Sequence, residues 1–300
     1  MPNDVAPDTR STALKIWQFP LVPMVVSIVL VIIAAAISEI AIEYALAPAL
    51  GESSADAAGV VLLVALCLLV YKLVIRKLGR KKHDDLPLDM RAARDTLLGF
   101  AGGAVLISIC VALAALFGVY RITGTDNFGD WVQIVFVFGI YAGFFEELLL
   151  RGIVLRWLEE LVGTWAALAL SALIFGFLHA GNDNATFFSS LAISIEAGIL
   201  LGAAYILTRS LWLAIGLHAG WNVVQALWDV PVSGYNVNGI VRAQLEGPSL
   251  LAGGGFGLEA TIFALVVATS AGIWLLVKAF RDGRIVRPMW SRKGMPIEAY

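Results

Sequence analysis

Stretches of about 20 apolar residues, the length that crosses a ~30 Å hydrocarbon core, recur along this chain and restrict it to very few folds. They run approximately over 21–45, 57–74, 96–120, 131–158, 165–180, 187–207, 211–228 and 258–280. The chain is 59% hydrophobic and 15% charged, with a mean hydropathy of +0.84, which excludes an ordinary soluble domain. Short segments of alternating polarity, the mark of a membrane β-barrel, are absent. The expected class is therefore all-α: a polytopic transmembrane bundle of about eight spans. The fifth run is barely long enough to span. Ala34-Ala35-Ala36 could mimic a signal-peptidase site, but the run around it is long for a signal sequence and reads as an uncleaved span.

Charge gives the orientation. Arg76, Lys77, Arg80, Lys81, Lys82, Arg91 and Arg94 follow the second run, and Arg281, Arg284, Arg287, Arg292 and Lys293 follow the last. Arg156 and Arg209 mark two short turns on the same side, while the alternate loops hold almost no Lys or Arg. By the positive-inside rule both termini are cytoplasmic. The expected organisation is a tail at 1–18, three spans with a basic loop over 19–129 and a core of four spans over 130–228. An external loop at 229–256 and a final span with its basic tail over 257–300 complete it. Trp131, Trp157, Trp165, Trp212 and Trp228 fit an interfacial belt. Cys67 and Cys110 read as buried small hydrophobes. The GGGFG run at 253–257 follows no strand and reads as a flexible loop. No internal repeat supports an inverted-repeat transporter.

Ionisable groups within a span are costly and default to function, and one cluster stands out: Glu146, Glu147 and Arg151 in the fourth run. On an α-helix advancing about 100° per residue, Glu147 and Arg151 lie one turn apart, acid before base, in the better order for an ion pair. Glu146 points elsewhere and is the carboxylate left free for chemistry. Two of the three histidines, His179 and His218, also fall in apolar runs, whereas His83 belongs to the basic loop. Phe175 and His179 are four apart, which sets an aromatic wall beside an imidazole. His218 and Asn222 are also four apart and converge from one helix face. Glu196 and Glu259 read as interhelical or interfacial polar contacts, with Glu196 close enough in sequence to support the site.

Glu-Glu-x-x-x-Arg, Phe-x-x-x-His and His-x-x-x-Asn, in that order on separate spans, resemble the CPBP family of intramembrane proteases, which includes CAAX-prenyl proteases and bacterial Abi-type proteins. The resemblance covers about residues 130–228. It implies hydrolysis of a peptide bond in a membrane-embedded or lipid-modified substrate, with no nucleic-acid partner, in a bacterial plasma membrane. It also implies that Glu146 and His179 hold and deprotonate the attacking water while His218 and Asn222 stabilise the oxyanion. A second version places Zn²⁺ on Glu146, His179 and His218 with a fourth position open for water. Residue types alone do not separate the two. Glu/His sets also form proton relays, so a proton- or ion-coupled carrier is the rival reading; a catalytically silent scaffold or immunity protein on the same fold is the third.

With straight helices, His179 sits too near the outer end of the fifth span to meet Glu146 and His218. A turn at Gly181-Asn182-Asp183-Asn184 that dips into the protein would relieve this.

Overall fold

The computed structural model of the protein describes residues 11–79, 83–236 and 238–292. Most of the expected tail at 1–18, the basic residues Arg80, Lys81 and Lys82, and Lys293 lie outside the described residues. Eight apolar helices carry the described chain: α1 (Leu21–Leu50), α2 (Glu52–Lys77), α3 (Met90–Leu116), α4 (Gln133–Val162), α5 (Thr164–Gly181), α6 (Phe187–Thr208), α7 (Trp212–Leu227) and α8 (Ile262–Arg281). All except α7 are long and apolar enough to cross a membrane. Large apolar side chains such as Val25, Val29, Ile32 and Ile33 on α1, and Val266, Ile273 and Trp274 on α8, stand exposed. Apolar surface of that extent is matched to lipid. The protein is thus a multi-pass helical membrane protein.

The short helix α7 has a different role. Its 16 residues rise only about 24 Å. Most of them are buried, from Ala214 through Gly220 and Asn222 to Ala226, so the helix is enclosed by its neighbours and not by lipid. The closest crossing is with α3, and glycine makes it possible. Gly99 and Gly103 on α3 face the backbone of Leu213, Gly216 and Leu217, and Gly216 and Gly220 on α7 face that of Thr96 and Phe100. A Cβ at any of the four would collide with backbone atoms that cannot move aside. This is small-residue packing at four-residue spacing, the usual device for close helix approach where lipid supplies no hydrophobic drive. It fixes the axis of the helix that bears His218 and Asn222.

The two ends of the bundle differ. At one end, Asp85 in the α2–α3 loop is fully buried and receives Arg156 Nη1 at 2.8 Å, Tyr71 Oη at 2.8 Å and Tyr205 Oη at 2.9 Å. Beside it Arg209 pairs with Glu159, Thr164 Oγ1 donates to Glu159 Oε1 at 2.6 Å, and the Arg209 guanidinium donates to the Arg284 carbonyl. Burial penalises the charged Arg209, but Glu159 outweighs this and raises its pKa. The loops grouped by their basic residues in the sequence therefore meet at one end of the fold. At the other end, β1 (Tyr120–Thr125) and β2 (Val241–Leu245) form an antiparallel ribbon, with Tyr120 opposite Leu245 and an irregularity between Ile122 and Gly124. Tyr120 Oη reaches back to the Trp228 carbonyl at 2.8 Å. Apolar periodicity gives no sign of this ribbon, because it forms outside the spans.

Three expectations are corrected. Trp157 is fully buried and stacks under the Arg156 guanidinium at 4.6 Å, so it belongs to the polar end's packing and not to an aromatic belt. The GGGFG run is built into the fold: Phe256 is buried and its carbonyl accepts from Gly234 N at 2.9 Å. The 181–184 turn does not dip inward. It docks beneath the 229–257 segment, where Asn182 Nδ2 donates to the Ser233 carbonyl at 3.0 Å. The buried Cys67 and Cys110 are free thiols.

Asp85 tests the polar end. Replacing it by Ala leaves Arg156 buried without its carboxylate, which costs about 3–5 kcal/mol for a broken buried pair. Thermal unfolding in detergent should show Asp85→Ala as strongly destabilised, and Asp84→Ala, at the half-buried Lys72 pair, as much less so.

Candidate active site

Helix α4 supplies the acids and is not an ordinary α-helix. Gln133–Glu146 and Leu148–Leu155 are wound with i→i+5 hydrogen bonds, a rare winding that is found mostly at functional sites. The angular offset read from straight α-geometry therefore does not apply as stated. Glu147 and Arg151 nevertheless meet, Oε1 to Nη1 at 2.8 Å, with both side chains essentially unexposed. Arg151 also donates to the Ala197 carbonyl at 3.2 Å, tying α4 to α6, and its guanidinium lies 4.3 Å above the Phe175 ring.

The same Glu147 Oε1 has a second partner. It lies 2.9 Å from His218 Nδ1. A carboxylate only accepts, so Nδ1 carries the proton, and the tautomer follows from that network. Nε2 is left on the far side of the ring, 4.0 Å from Glu146 Oε2. That Glu146 oxygen is buried and has no hydrogen-bond partner. A gap of this length between two polar atoms is the place for an intervening water.

One turn further along α7, Asn222 is buried and donates Nδ2–H to the Phe138 carbonyl on α4 at 3.1 Å. Its second amide hydrogen remains available. His179 ends α5, its Nδ1 2.8 Å from the carbonyl of Phe175 in the preceding turn. That contact again assigns the proton to Nδ1 and leaves Nε2 open. The rings of His179 and His218 both meet Phe175 edge-on, at centroid distances of 4.9 and 6.0 Å. The aromatic residue thus joins the two histidines, and it does so without any inward turn at 181–184. His179, His218 and Asn222 line one narrow cavity together with Phe175, Trp221, Glu196 and Glu259. Glu146 lies outside that wall, on α4, and meets it through His218.

Two relations were missed in the sequence. The contact of Glu147 with His218 joins residues 71 positions apart, and no local spacing announces it. Glu259 had a local signal, an acid just ahead of an apolar run, but that signal suggests an interface. Glu259 is instead buried, accepting Ser233 N at 2.6 Å and Ser233 Oγ at 3.1 Å. Burial raises its pKa above the ordinary carboxylate value, with the Ser233 backbone amide and the nearby His179 pulling the other way.

The Zn²⁺ set fares differently. Among the described residues, no three His, Cys, Asp or Glu side chains are grouped so as to hold a metal ion. Glu146 lies 4.0 Å from His218, and the rings of His179 and His218 each meet that of Phe175. The proposed trio does not fit a metal in this arrangement, and no chemical step is assigned to one.

A helical membrane bundle in which two imidazoles and an amide line one cavity, with the Glu146 carboxylate beside it at His218, has the parts of an intramembrane hydrolase. Residues 128–224 match the family model of the type II CAAX prenyl endopeptidases, Rce1-like, so this segment is similar to a family of membrane peptidases. The matched stretch runs from just before α4 to near the end of α7 and contains Glu146, Glu147, Arg151, Phe175, His179, His218 and Asn222. No curated protein and no solved structure gives a significant match.

Removing the charge of Glu147 should act mainly on the fold. Glu147→Gln leaves Arg151 charged in an apolar site and frees the His218 ring, an effect of about 3–5 kcal/mol. The expected result is a large drop in thermal stability and in yield of folded protein. Normal stability with full loss of activity would instead assign the catalytic role to Glu147.

Proposed function

We propose that the protein cleaves a peptide bond in a membrane-associated substrate, prenylated or of leader-peptide type, with Glu146 as the base. The observation that carries this is the buried Glu146 Oε2, without a partner and facing His218 Nε2 at 4.0 Å. Glu146 takes a proton from a water held there, and the oxygen of that water attacks the scissile carbonyl. The developing oxyanion accepts hydrogen bonds from the free Nδ2–H of Asn222 and from His218 Nε2–H, when the ring is doubly protonated between the two glutamates. Oxyanion stabilisation of this kind is usually the largest single contribution in acyl chemistry. The proton held by Glu146 then passes to the leaving amine as the C–N bond breaks. His179 Nε2 serves as a further acceptor that holds water in the cavity. Glu147, with its charge compensated by Arg151, aligns the His218 ring and supports the imidazolium. Phe175 sets the spacing between the two histidines.

This assignment separates the roles by mutation. Glu146→Gln should abolish cleavage of a peptide by purified protein in lipid, by at least about 10²–10⁴-fold, the range for loss of a general base, with the fold retained. Asn222→Ala should lower turnover about 10²–10³-fold, as for one lost oxyanion donor. Chelators should leave the wild type active, and zinc analysis of wild type and His218→Ala should give equal, near-zero content. Inactivation by chelation that added Zn²⁺ reverses would overturn the metal-free mechanism. Flux driven by a pH gradient, with no cleavage, would favour the carrier.

We also propose that the end holding Asp85, Arg156 and Arg209 faces the cytoplasm, because its loops are basic and those of the opposite end are not; the family resemblance suggests that the membrane is a bacterial one. Reporter fusions after Arg292 should read cytoplasmic and fusions near Gly239 external. A cytoplasmic signal at Gly239 would reverse the topology.

A further inference from the structure

The cavity holds more acid than the proposed hydrolysis uses. Its walls are Ile193, Leu200, Leu201, Trp221 and other apolar groups, yet Glu196 and Glu259 both line it. Their circumstances differ. Glu259 is compensated by the Ser233 amide and hydroxyl. Glu196, from the middle of α6, is 1% exposed, and its Oε2 is buried with no hydrogen-bond partner. A carboxyl left bare in an apolar cavity loses the hydration it would have in water and gains nothing in return. Arg151 does not relieve it: that cation is engaged by Glu147, by the Ala197 carbonyl and by the Phe175 face. Cys110 carries no charge to offer, and His179 lies toward Glu259.

We infer that Glu196, with Glu259 behind it, forms a subsite for a primary ammonium group carried on an apolar stem, the chemistry of a lysine side chain. An ammonium brings three donors on a compact head, which suits a narrow cavity better than the broad planar fork of a guanidinium. The ammonium head would enter the cavity, and the apolar residues at its wall, Leu200, Leu201 and Trp221 among them, would give the methylenes of the stem a surface to lie on. His218 and Asn222 line the same cavity, so a lysine seated here would set the register of the peptide against them. This specificity rests on the proposed peptidase reading, whereas binding of the ammonium itself does not.

Two experiments keep those apart. In the first, n-butylammonium and its neutral analogue n-butanol are titrated into purified protein in detergent, and thermal stability is followed. A ligand that binds only the folded state raises it in proportion to the logarithm of its concentration over Kd. Wild type and Glu146→Gln should both show a saturable shift with the ammonium and none with the alcohol, and Glu196→Gln should weaken the ammonium at least about tenfold, roughly 1.4 kcal/mol. Should Glu196→Gln fail to fold, Glu259→Gln takes its place. No ammonium-specific shift in the wild type, or an unchanged shift in the variant, overturns the subsite. In the second, peptides with lysine or norleucine at successive positions around the cleaved bond are compared. One position should favour lysine at least tenfold in kcat/KM in the wild type, and the ratio should fall toward one in Glu196→Gln. If the wild type cleaved neither peptide while the ammonium shift persisted, the peptidase reading would fail and the subsite would stand. If cleavage proceeded with no lysine preference at any position, the specificity would fail and the peptidase reading would stand.

Discussion

The site depends on one oxygen atom. Glu147 Oε1 accepts from Arg151 within its own helix and from His218 across the bundle. The first contact makes an acid and a base tolerable in an apolar interior, where either one alone would carry a heavy desolvation cost. The second turns that compensated pair into an alignment device, since it fixes the ring of His218 and directs Nε2 toward Glu146. Arg151 extends the same network to α6 through the Ala197 carbonyl and to α5 through the Phe175 ring. Four helices are thereby referenced to one carboxylate, and the neighbouring glutamate is left with an oxygen that has no structural partner.

That arrangement needs α7 to be held close and at a defined rotation. The reciprocal glycine contacts with α3 supply this, because backbone against backbone leaves no side chain free to adjust. The helix that carries His218 and Asn222 is therefore both the shortest of the eight and among the most enclosed. The i→i+5 winding of α4 contributes on the other side: it brings the Phe138 carbonyl within reach of the Asn222 amide while keeping Glu147 and Arg151 in register. Under the proposed mechanism, donors held in place before a substrate arrives are what make electrostatic stabilisation effective in a low-dielectric site. The Asp85 cluster at the opposite end of the bundle has no such chemistry. It is a saturated network that locks the ends of α2, α4 and α6, and its distance from the cavity lets the two polar regions differ in purpose.

The sequence by itself determined the class of fold, since eight apolar runs leave a helical bundle as the only economical structure in lipid. It also divided the Glu146–Glu147 pair through the four-residue spacing to Arg151, and it grouped the basic loops at one end. Those are local quantities: length, composition and offsets along one helix. Tertiary structure alone decided where His179 goes, because its approach runs through the ring of Phe175 and not through the turn that follows it. Tertiary structure also decided that Glu147 would hold His218, that Trp157 would be buried, and that Glu196 and Glu259 would share one cavity. Each of these is a contact between residues far apart in the chain, and helical periodicity gives the face a side chain occupies but not which neighbour covers that face.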